Sequence, residues 1–288
     1  MLLATDLDRT LLPNGKQGYD GSLYLFKKIA NKKNIKIVYV TGRNLFLIKQ
    51  ATRKFNAPYP DNVIVNVGTR IYEFKNKKFI EDKEWIKKIK KNTKNWNIKK
   101  FKQSLKKFKG LKLQENSKQD NFKLSYYINE DFNEKEVEIL IKKIEKEIFK
   151  ICKNVRIIYS VDYPCPRGLL DIVPKKATKF HAVEYLVNKS KIPEKEVVCC
   201  GDSGNDISFL NSRYKSILVK NSRNYVKKQI KKNKKKNSKK IYIARGNKFF
   251  FKEKGSLKRK KLNGNYVSGI IEGLVYYGFI NKKELIKL

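Results

Sequence analysis

Apolar and polar positions follow two rhythms along the chain. Residues 2–7 (LLATDL) form a short apolar run that ends on polar residues and gives way to a turn-rich loop, LLPNGKQGYDG. A helical stretch around SLYLFKKIANKK leads to a second run, IKIVYV, which stops at Thr41-Gly42-Arg43. NLFLIKQATRKF is helical again, and VIVNVG is a third strand. Short apolar strands alternating with helices of about ten residues indicate βαβ units on a parallel sheet. Between about residue 75 and residue 165 this rhythm lapses. A Lys-rich helical region over 82–108 precedes a strand in NFKLSYYI. A helix follows with Val137, Ile141, Ile144, Ile148 and Ile151 on one stripe, and Asn133 with Glu136 supplies a capping box at its start. Strands in VRIIYS and GLLDIV close the segment. After Pro174 the first rhythm returns with helix ATKFHAVEYLVNKS, strand EVVCCG, helix DISFLNS and strand SILVKN, and the apolar face of NGNYVSGIIEGLVYYGFI folds back as a helix. The pattern predicts an α/β protein whose doubly wound parallel core is built from 1–78 and 166–288, with an inserted α+β unit at 79–165.

Composition changes this picture little, and charge raises a rival. Of 288 residues 40% are hydrophobic, enough for a sizeable core. Lys and Arg number 68 against 27 Asp and Glu, a net charge of +41, which points toward nucleic acid. The lysines, however, run through nearly every polar stretch, so the excess is either compositional background or a binding surface. The block at 227–240 (KKQIKKNKKKNSKK) shows no period and reads as a solvated loop or frayed helix, or as a contact for an anionic surface. No apolar run approaches the ~20 residues of a membrane helix, and MLLATDLDRT lacks a signal-peptide pattern. Cys152, Cys165, Cys199 and Cys200 are too few for a disulfide scaffold, so the expectation is a cytoplasmic protein with reduced thiols.

Two acidic clusters carry the chemistry. Asp6 and Asp8 sit two apart at the end of the first strand, with Thr10 two further on, so a turn there brings both carboxylates and the hydroxyl toward one point. Like charges held that close favour a bound cation or a shared proton. Gly201-Asp202-Ser203-Gly204-Asn205-Asp206 follows a second buried strand. Carboxyl ends of parallel strands are where such folds bind ligands, and oxygen ligands point to Mg²⁺ rather than zinc. Read blandly, both motifs are turn and capping residues, yet their pairing after two buried strands argues for a site. Thr41 at the end of the second strand offers a hydroxyl to a phosphate oxygen, and Gly42 lets the backbone approach. Lys179 starts a helix just before the second cluster and can neutralise phosphate and carboxylate charge. His181, the sole histidine, has no neighbouring motif that needs it.

DLDRT, VTGR, Lys179 in ATKFHA and GDSGND, in this order, resemble the four signature motifs of the haloacid dehalogenase (HAD) superfamily of phosphohydrolases, and the inserted unit resembles its type IIB cap. LLATDLDRTLLPNG, NVGTRIY, NFKLSYY, LLDIVP, GDSGNDISFL and GIIEGLVYYGF resemble the sucrose-phosphate phosphatase branch. The resemblance implies a HAD-like core and a Mg²⁺-dependent sugar-phosphate phosphatase, with sucrose 6-phosphate as first choice and other sugar or glycosyl phosphates as runners-up. It implies Asp6 as nucleophile and Asp8 as acid and base. Mg²⁺ would be held by Asp6, the Asp8 backbone carbonyl and Asp202, with Asp206 supporting the site. Thr41, Gly42, Lys179 and Asn205 fall to phosphate binding, while Arg43 either contacts phosphate or makes a structural ion pair. Gln119 and Lys123 match sugar-contacting positions, although read from the residues alone a solvated strand edge is the commoner explanation. Asn221 either contacts substrate or turns the chain, and Trp85 and Trp96 pack the cap. The implied partner is a small phosphorylated sugar, met by a monomer with no membrane and no specific nucleic-acid partner.

Overall fold

The computed structural model of the protein describes residues 1–162, 167–234, 241–252, 255 and 258–287. The opening rhythm gives β1 (Leu2–Thr5), α1 (Leu23–Lys32), β2 (Lys36–Val40), α2 (Leu45–Lys54) and β3 (Asn62–Val65), with β1, β2 and β3 paired in parallel. A feature not predicted from sequence follows. β4 (Arg70–Lys75) and β5 (Lys78–Glu81) form a hairpin that adds antiparallel to β3, turning at Asn76 and Lys77, both with positive φ. Next, α3 (Lys83–Asn92) lies against the core, and α4 (Ile98–Leu105), β6 (Leu111–Leu113), β7 (Leu124–Ile128), α5 (Glu134–Ile151), β8 (Val155–Asp162) and β9 (Arg167–Pro174) build the inserted unit. The chain returns through α6 (Lys179–Ser190), β10 (Val197–Gly201), α7 (Ile207–Leu210), β11 (Lys215–Leu218), α8 (Asn224–Lys234) and β12 (Ile241–Ile243). The strand pair β13 (Phe250–Lys252) and β14 (Arg259–Lys261) precedes α9 (Tyr266–Tyr276).

The main sheet has eight strands in the order β12-β11-β10-β1-β2-β3-β4-β5, parallel except for the β4–β5 hairpin. Its central strands are apolar on both faces because helices cover both. Leu3, Tyr39, Val63 and Val198 pack with Phe26 of α1 and Ile270 and Leu274 of α9, whereas Leu2, Val38, Ile64 and Cys199 pack with Val183 and Leu186 of α6. The smaller sheet, β6-β7-β9-β8, is wholly antiparallel and buries Leu124, Ile157 and Leu170 against Ile144 and Ile148 of α5. Asn133 and Glu136 make the capping box expected of them, and Leu140 joins the buried stripe while Ile141 and Ile151 lie at its edge.

Both expected boundaries of the inserted unit move. β9 pairs with β7 and β8, so Arg167–Pro174 belongs to the smaller sheet although its apolar run reads like the core strand that would follow residue 165. In the other direction β5 completes the main sheet, and α3 packs Trp85 and Ile89 into the core. Trp85 is therefore a core residue, while Trp96 is half-buried between the two units. Of the loop and helix readings of the lysine block, its described part takes the helix. Residues 227–234 continue α8, whose Val226 and Ile230 are fully buried; 235–240, like Cys165, lie outside the described residues. Among the described residues, no helix is long and apolar enough to cross a membrane.

Candidate active site

β1 and β10 are neighbours in parallel register, Thr5 beside Cys200, so the residues that leave their carboxyl ends emerge together. Asp6 extends the ladder by one bond, donating its N–H to Cys200 O at 2.9 Å. The chain then curls tightly, with Arg9 at φ 60° and the N–H groups of Thr10, Leu11 and Leu12 all donating to Leu7 O. Asp202 follows β10, and a short 3₁₀ turn, Gly204–Asp206, swings Asp206 back beneath it. Gly201 permits that approach, since a Cβ there would lie 2.6 Å from Asp206 Cβ. The third contributor, Lys179, heads α6. It comes close because Gly68, at φ 118°, lets the 66–68 loop abut the helix start, where a Cβ would meet Thr178 C at 2.3 Å.

These elements converge on one buried cluster. Lys179 Nζ donates to Asp6 Oδ1 at 2.8 Å, Asp206 Oδ1 at 2.7 Å and Asn205 Oδ1 at 3.0 Å. Asp206 Oδ2 accepts from the N–H groups of Asp202 (3.1 Å) and Ser203 (3.0 Å), which fixes the 202–206 loop. Asp202 Oδ1 accepts from the Thr10 hydroxyl at 3.0 Å, and Arg9 Nε stands 3.5 Å from Asp202 Oδ2. One carboxylate oxygen from each of Asp6, Asp202 and Asp206 lies within 4.8 Å of the others, all three residues being buried. Burial raises Asp6 well above the ordinary carboxylate range, only partly opposed by Lys179 and reinforced by the neighbouring acids. Asp202 is pushed up to about 7, chiefly by burial and then by Asp206, against the pull of Arg9. For Lys179 burial works against the charge, but Asp206 and Asp6 outweigh it and the ammonium is held. An all-oxygen set of crowded acids fits a hard divalent cation, which would relieve the repulsion that raises Asp6 and Asp202.

Asp8 stands apart from this cluster. Its Oδ2 accepts from Arg43 Nε at 2.7 Å, and its Oδ1 from Arg43 Nη2 at 2.6 Å and Asn14 Nδ2 at 2.5 Å. Of the two readings of Arg43, the structure displays the ion pair. Thr41 is buried, with its hydroxyl accepting from Arg43 N at 3.1 Å, and a Cβ on Gly42 beside it would meet only Val67 Cγ1, at 3.7 Å. Asp6, Asp8, Asn14, Thr41, Arg43, Asp202 and Asn205 line one cavity of about 820 Å³, within the range of small-molecule sites. Its far wall comes from the inserted unit and includes Gln114, Lys118, Lys123, Ser160 and Asp171. Lys123 is 4% exposed, with Nζ 3.7 Å from Asp171 Oδ1, so the predicted solvated edge is in fact a buried cation.

Three expected contact residues do not line the cavity: Lys179, whose Nζ is buried among Asp6, Asn205 and Asp206, and Gln119 and Asn221. Gln119 commits its amide to the cap backbone, accepting from Ser125 N at 2.8 Å and donating to Gln114 O and Ser125 O. Asn221 brackets two segments, donating to Arg9 O and accepting from Tyr266 N, both at 2.7 Å. His181 bonds Thr178 through Nδ1 at 2.8 Å and lines a separate cavity of about 270 Å³ between α3 and α6. Sequence reasoning missed Arg9, Asn14, Gln114 and Asp171. Asp171 had a signal, being the one charge inside the apolar run GLLDIV.

The main sheet carries Asp6 and Asp202 at its carboxyl edge, Lys179 reaches them from the head of α6, and an inserted α+β unit roofs them. Together with its family and relatives, this arrangement makes the chain a phosphoric monoester hydrolase of the HAD superfamily. The chain belongs to the sucrose-6F-phosphate phosphohydrolase family, whose model matches residues 1–250. A protein of Nitrosococcus oceani carrying the general name HAD-like hydrolase is 34% identical over 279 residues, 96% of this chain and 71% of that protein. Sucrose-phosphatase 2 of Nicotiana tabacum is 30% identical over 217 residues, 73% of this chain and 48% of its own, so the chain spans about half the length of that plant enzyme. In fold it is similar to the sucrose-phosphatase of Synechocystis sp. PCC6803 in complex with sucrose and phosphate, with a TM-score of 0.76 at 20% identity over 96% of this chain and 98% of that one. A HAD subclass IIB sugar phosphatase aligns with a TM-score of 0.52 at 16% identity, covering 79% and 90% of the two chains. At these identities both structures support the fold alone.

Proposed function

We propose that the chain is a Mg²⁺-dependent sugar-phosphate phosphatase, with sucrose 6-phosphate as its first substrate and other sugar or glycosyl phosphates as runners-up. The observation that carries it is the cavity itself. Its floor is lined by Asp6 and Asp202, beneath which Lys179 and Asp206 are buried, and its roof presents buried polar groups, Lys123 and Asp171, where a sugar would lie. Mg²⁺, when bound by Asp6, Asp202 and the Asp8 carbonyl with Asp206 in support, supplies neutralisation of the phosphoryl charge.

The protein's own residues do the rest. In the ionised form the Asp6 carboxylate attacks phosphorus in line and forms an aspartyl-phosphate as the bond to the sugar oxygen breaks. A sugar alkoxide is a poor leaving group, so Asp8, placed at the cavity wall by Arg43, protonates the departing oxygen. Asp8 then takes a proton from the water that hydrolyses the acyl-phosphate, returning Asp6 and inorganic phosphate. Thr41, the Gly42 backbone, Lys179 and Asn205 bind phosphate oxygens. The roof excludes water and holds the sugar. A cytoplasmic setting accords with the buried free thiols of Cys152, Cys199 and Cys200.

The test is a phosphate-release panel of sucrose 6-phosphate, hexose phosphates, trehalose 6-phosphate and mannosyl-3-phosphoglycerate, with Asp6→Asn as control. Preference for another member overturns the substrate and leaves the chemistry; substantial turnover by Asp6→Asn, or activity undiminished in excess chelator, overturns the chemistry.

A further inference from the structure

One carboxylate outside the proposed catalytic set joins the two halves of this cavity. Asp120 lies in the loop before β7, on the inserted unit, yet its side chain is engaged by the core. Arg70 Nε donates to Asp120 Oδ2 at 2.9 Å and to Oδ1 at 3.2 Å, and Asn66 Nδ2 donates to Oδ2 at 3.4 Å. The side chains of this ion pair are only 16% and 12% exposed, so water screens them less than a surface pair. Arg70 is itself held by Glu81 of β5 at 2.7 Å, which makes the core side of the contact rigid.

What lies on either side of Asp120 gives the contact its meaning. On the cap side its backbone exchanges two hydrogen bonds with Lys123, each 3.0 Å, and its Oδ1 also accepts from Phe122 N at 3.1 Å. Asp120 therefore sets the position of Lys123, the buried cation of the roof. On the core side Asn66 and Arg70 flank the segment that shapes the phosphate end. Asn66 N donates to Arg43 O at 3.2 Å and Val67 N to Thr41 O at 3.1 Å, while Gly68 abuts Thr178 and Lys179. Asn66 and Val67 hold this segment at φ 51° and 56°, an unfavourable conformation for a β-branched residue such as Val67. Such a conformation persists where the surroundings over-determine it, and Asp120 is one of those surroundings.

We propose that Asp120 is a positioning residue that registers the sugar end of the cavity on its phosphate end, so that phosphate bound among Thr41, the Gly42 backbone and Lys179 orders the Asn116–Lys123 loop through Asn66 and Arg70. This rests on reading the cavity as a phosphatase site. Asp120 contacts no reacting group and acts only through Lys123 and the 66–70 segment.

Hydrogen–deuterium exchange tests it, comparing the full chain with Mg²⁺ alone and with Mg²⁺ plus saturating inorganic phosphate. In the native protein, peptides covering 41–43, 66–70 and 116–123 should all gain protection. In Asp120→Asn the 41–43 and 66–70 peptides should keep their gain, while that of 116–123 falls by about tenfold, the scale of a typical inter-site coupling. Arg70→Gln, which removes the pair from the core side, should give the same selective loss. An equal gain at 116–123 in the native protein and in both variants overturns the inference and leaves the phosphatase reading intact. No phosphate-dependent protection at 41–43 in the native protein overturns that reading and the inference with it.

Discussion

Arg43 grips both carboxylate oxygens of Asp8, Nε on Oδ2 at 2.7 Å and Nη2 on Oδ1 at 2.6 Å, while Asp6, two residues earlier, is bound instead to Lys179. The two acids of one strand end are thus separated by partner. A fork-to-fork guanidinium pair fixes direction as well as charge, and it holds the Asp8 carboxyl at the cavity wall, from which a proton donor must be delivered to the leaving oxygen. Removing Arg43 should therefore damage proton delivery more than phosphorus attack. Arg43→Ala is expected to lower kcat on a sugar phosphate by about 10²-fold, within the range of general acid catalysis. A nitrophenyl phosphate, whose leaving group departs without a proton, should lose much less. Steady-state kinetics on the two substrates checks this, and equal losses would assign Arg43 to phosphate binding. Arg43→Lys should not rescue, because an ammonium cannot reproduce the fork.

The metal-free protein should lose stability as pH rises. Asp6 and Asp202 hold their protons to higher pH in the folded chain than in the unfolded one, Asp202 up to about 7. Between the ordinary carboxylate range and that value the folded state binds more protons, so unfolding free energy falls with pH across the window. Thermal melts in chelator should show Tm decreasing from about pH 5 to about pH 8. Mg²⁺ competes with those protons, so its stabilisation should be larger at the upper pH. Asp202→Asn should flatten the melting profile in chelator and weaken the response to Mg²⁺ together. A flat profile in the unaltered protein would contradict the crowding of charge at the cluster.

Lys123 is expected to read the sugar. It is buried at the roof near Asp171, whose Oδ1 also accepts from Ser125 Oγ at 2.5 Å, so the pair is anchored in the cap sheet. Lys123→Ala should lower kcat/KM for sucrose 6-phosphate by about 10²-fold or more, since a polar site left unpaired discriminates strongly, and should leave a small aryl phosphate nearly unaffected. Gln119→Ala should instead destabilise the cap without changing the ratio of the two substrates, because its amide bonds the backbone of Gln114 and Ser125. Initial rates on both substrates, with thermal melts of both variants, decide the assignment.

The contrast between Lys123 and Gln119 shows what the sequence could and could not tell. The strand-end acids were legible because β1 and β10 are continuous apolar runs stopping on Asp6 and Asp202, and strand polarity alone sends both to one edge. Lys179 was legible by its place at a helix start. Side-chain direction in irregular segments was not, since it depends on turns such as those that aim Gln119 and Asn221 at backbone groups. The cap boundary was obscured for a related reason. β9 is apolar, like a core strand, and Pro164 and Pro166 just before it read as a domain boundary, whereas α3 and the residues around β5 are Lys-rich and look peripheral although they pack on the core. The roles of Arg43 and Asp120 depend on pairings across 35 and 50 residues, which a single chain does not announce.

Gly68 offers the most direct test of how the phosphate end is assembled. Its φ of 118° disfavours any L side chain, and a Cβ would fall 2.3 Å from Thr178 C and 2.6 Å from Lys179 N, both backbone atoms that cannot swing aside. Gly68→Ala must therefore push the start of α6 away from the 66–68 loop and carry Lys179 with it. The expected cost is at least about 2 kcal/mol of stability from strain at a glycine-only conformation, with a weakened affinity for inorganic phosphate. Gly110→Ala serves as the comparison. Gly110 also has positive φ, 89°, and its Cβ would strike the Phe132 ring at 2.5 Å, but it sits in the cap before β6, outside the cavity. That variant should lose stability while keeping its phosphate affinity. Denaturant unfolding and phosphate titration by calorimetry on the two variants separate the effects. If Gly68→Ala folds less stably yet binds phosphate as the native protein does, the loop does not position Lys179.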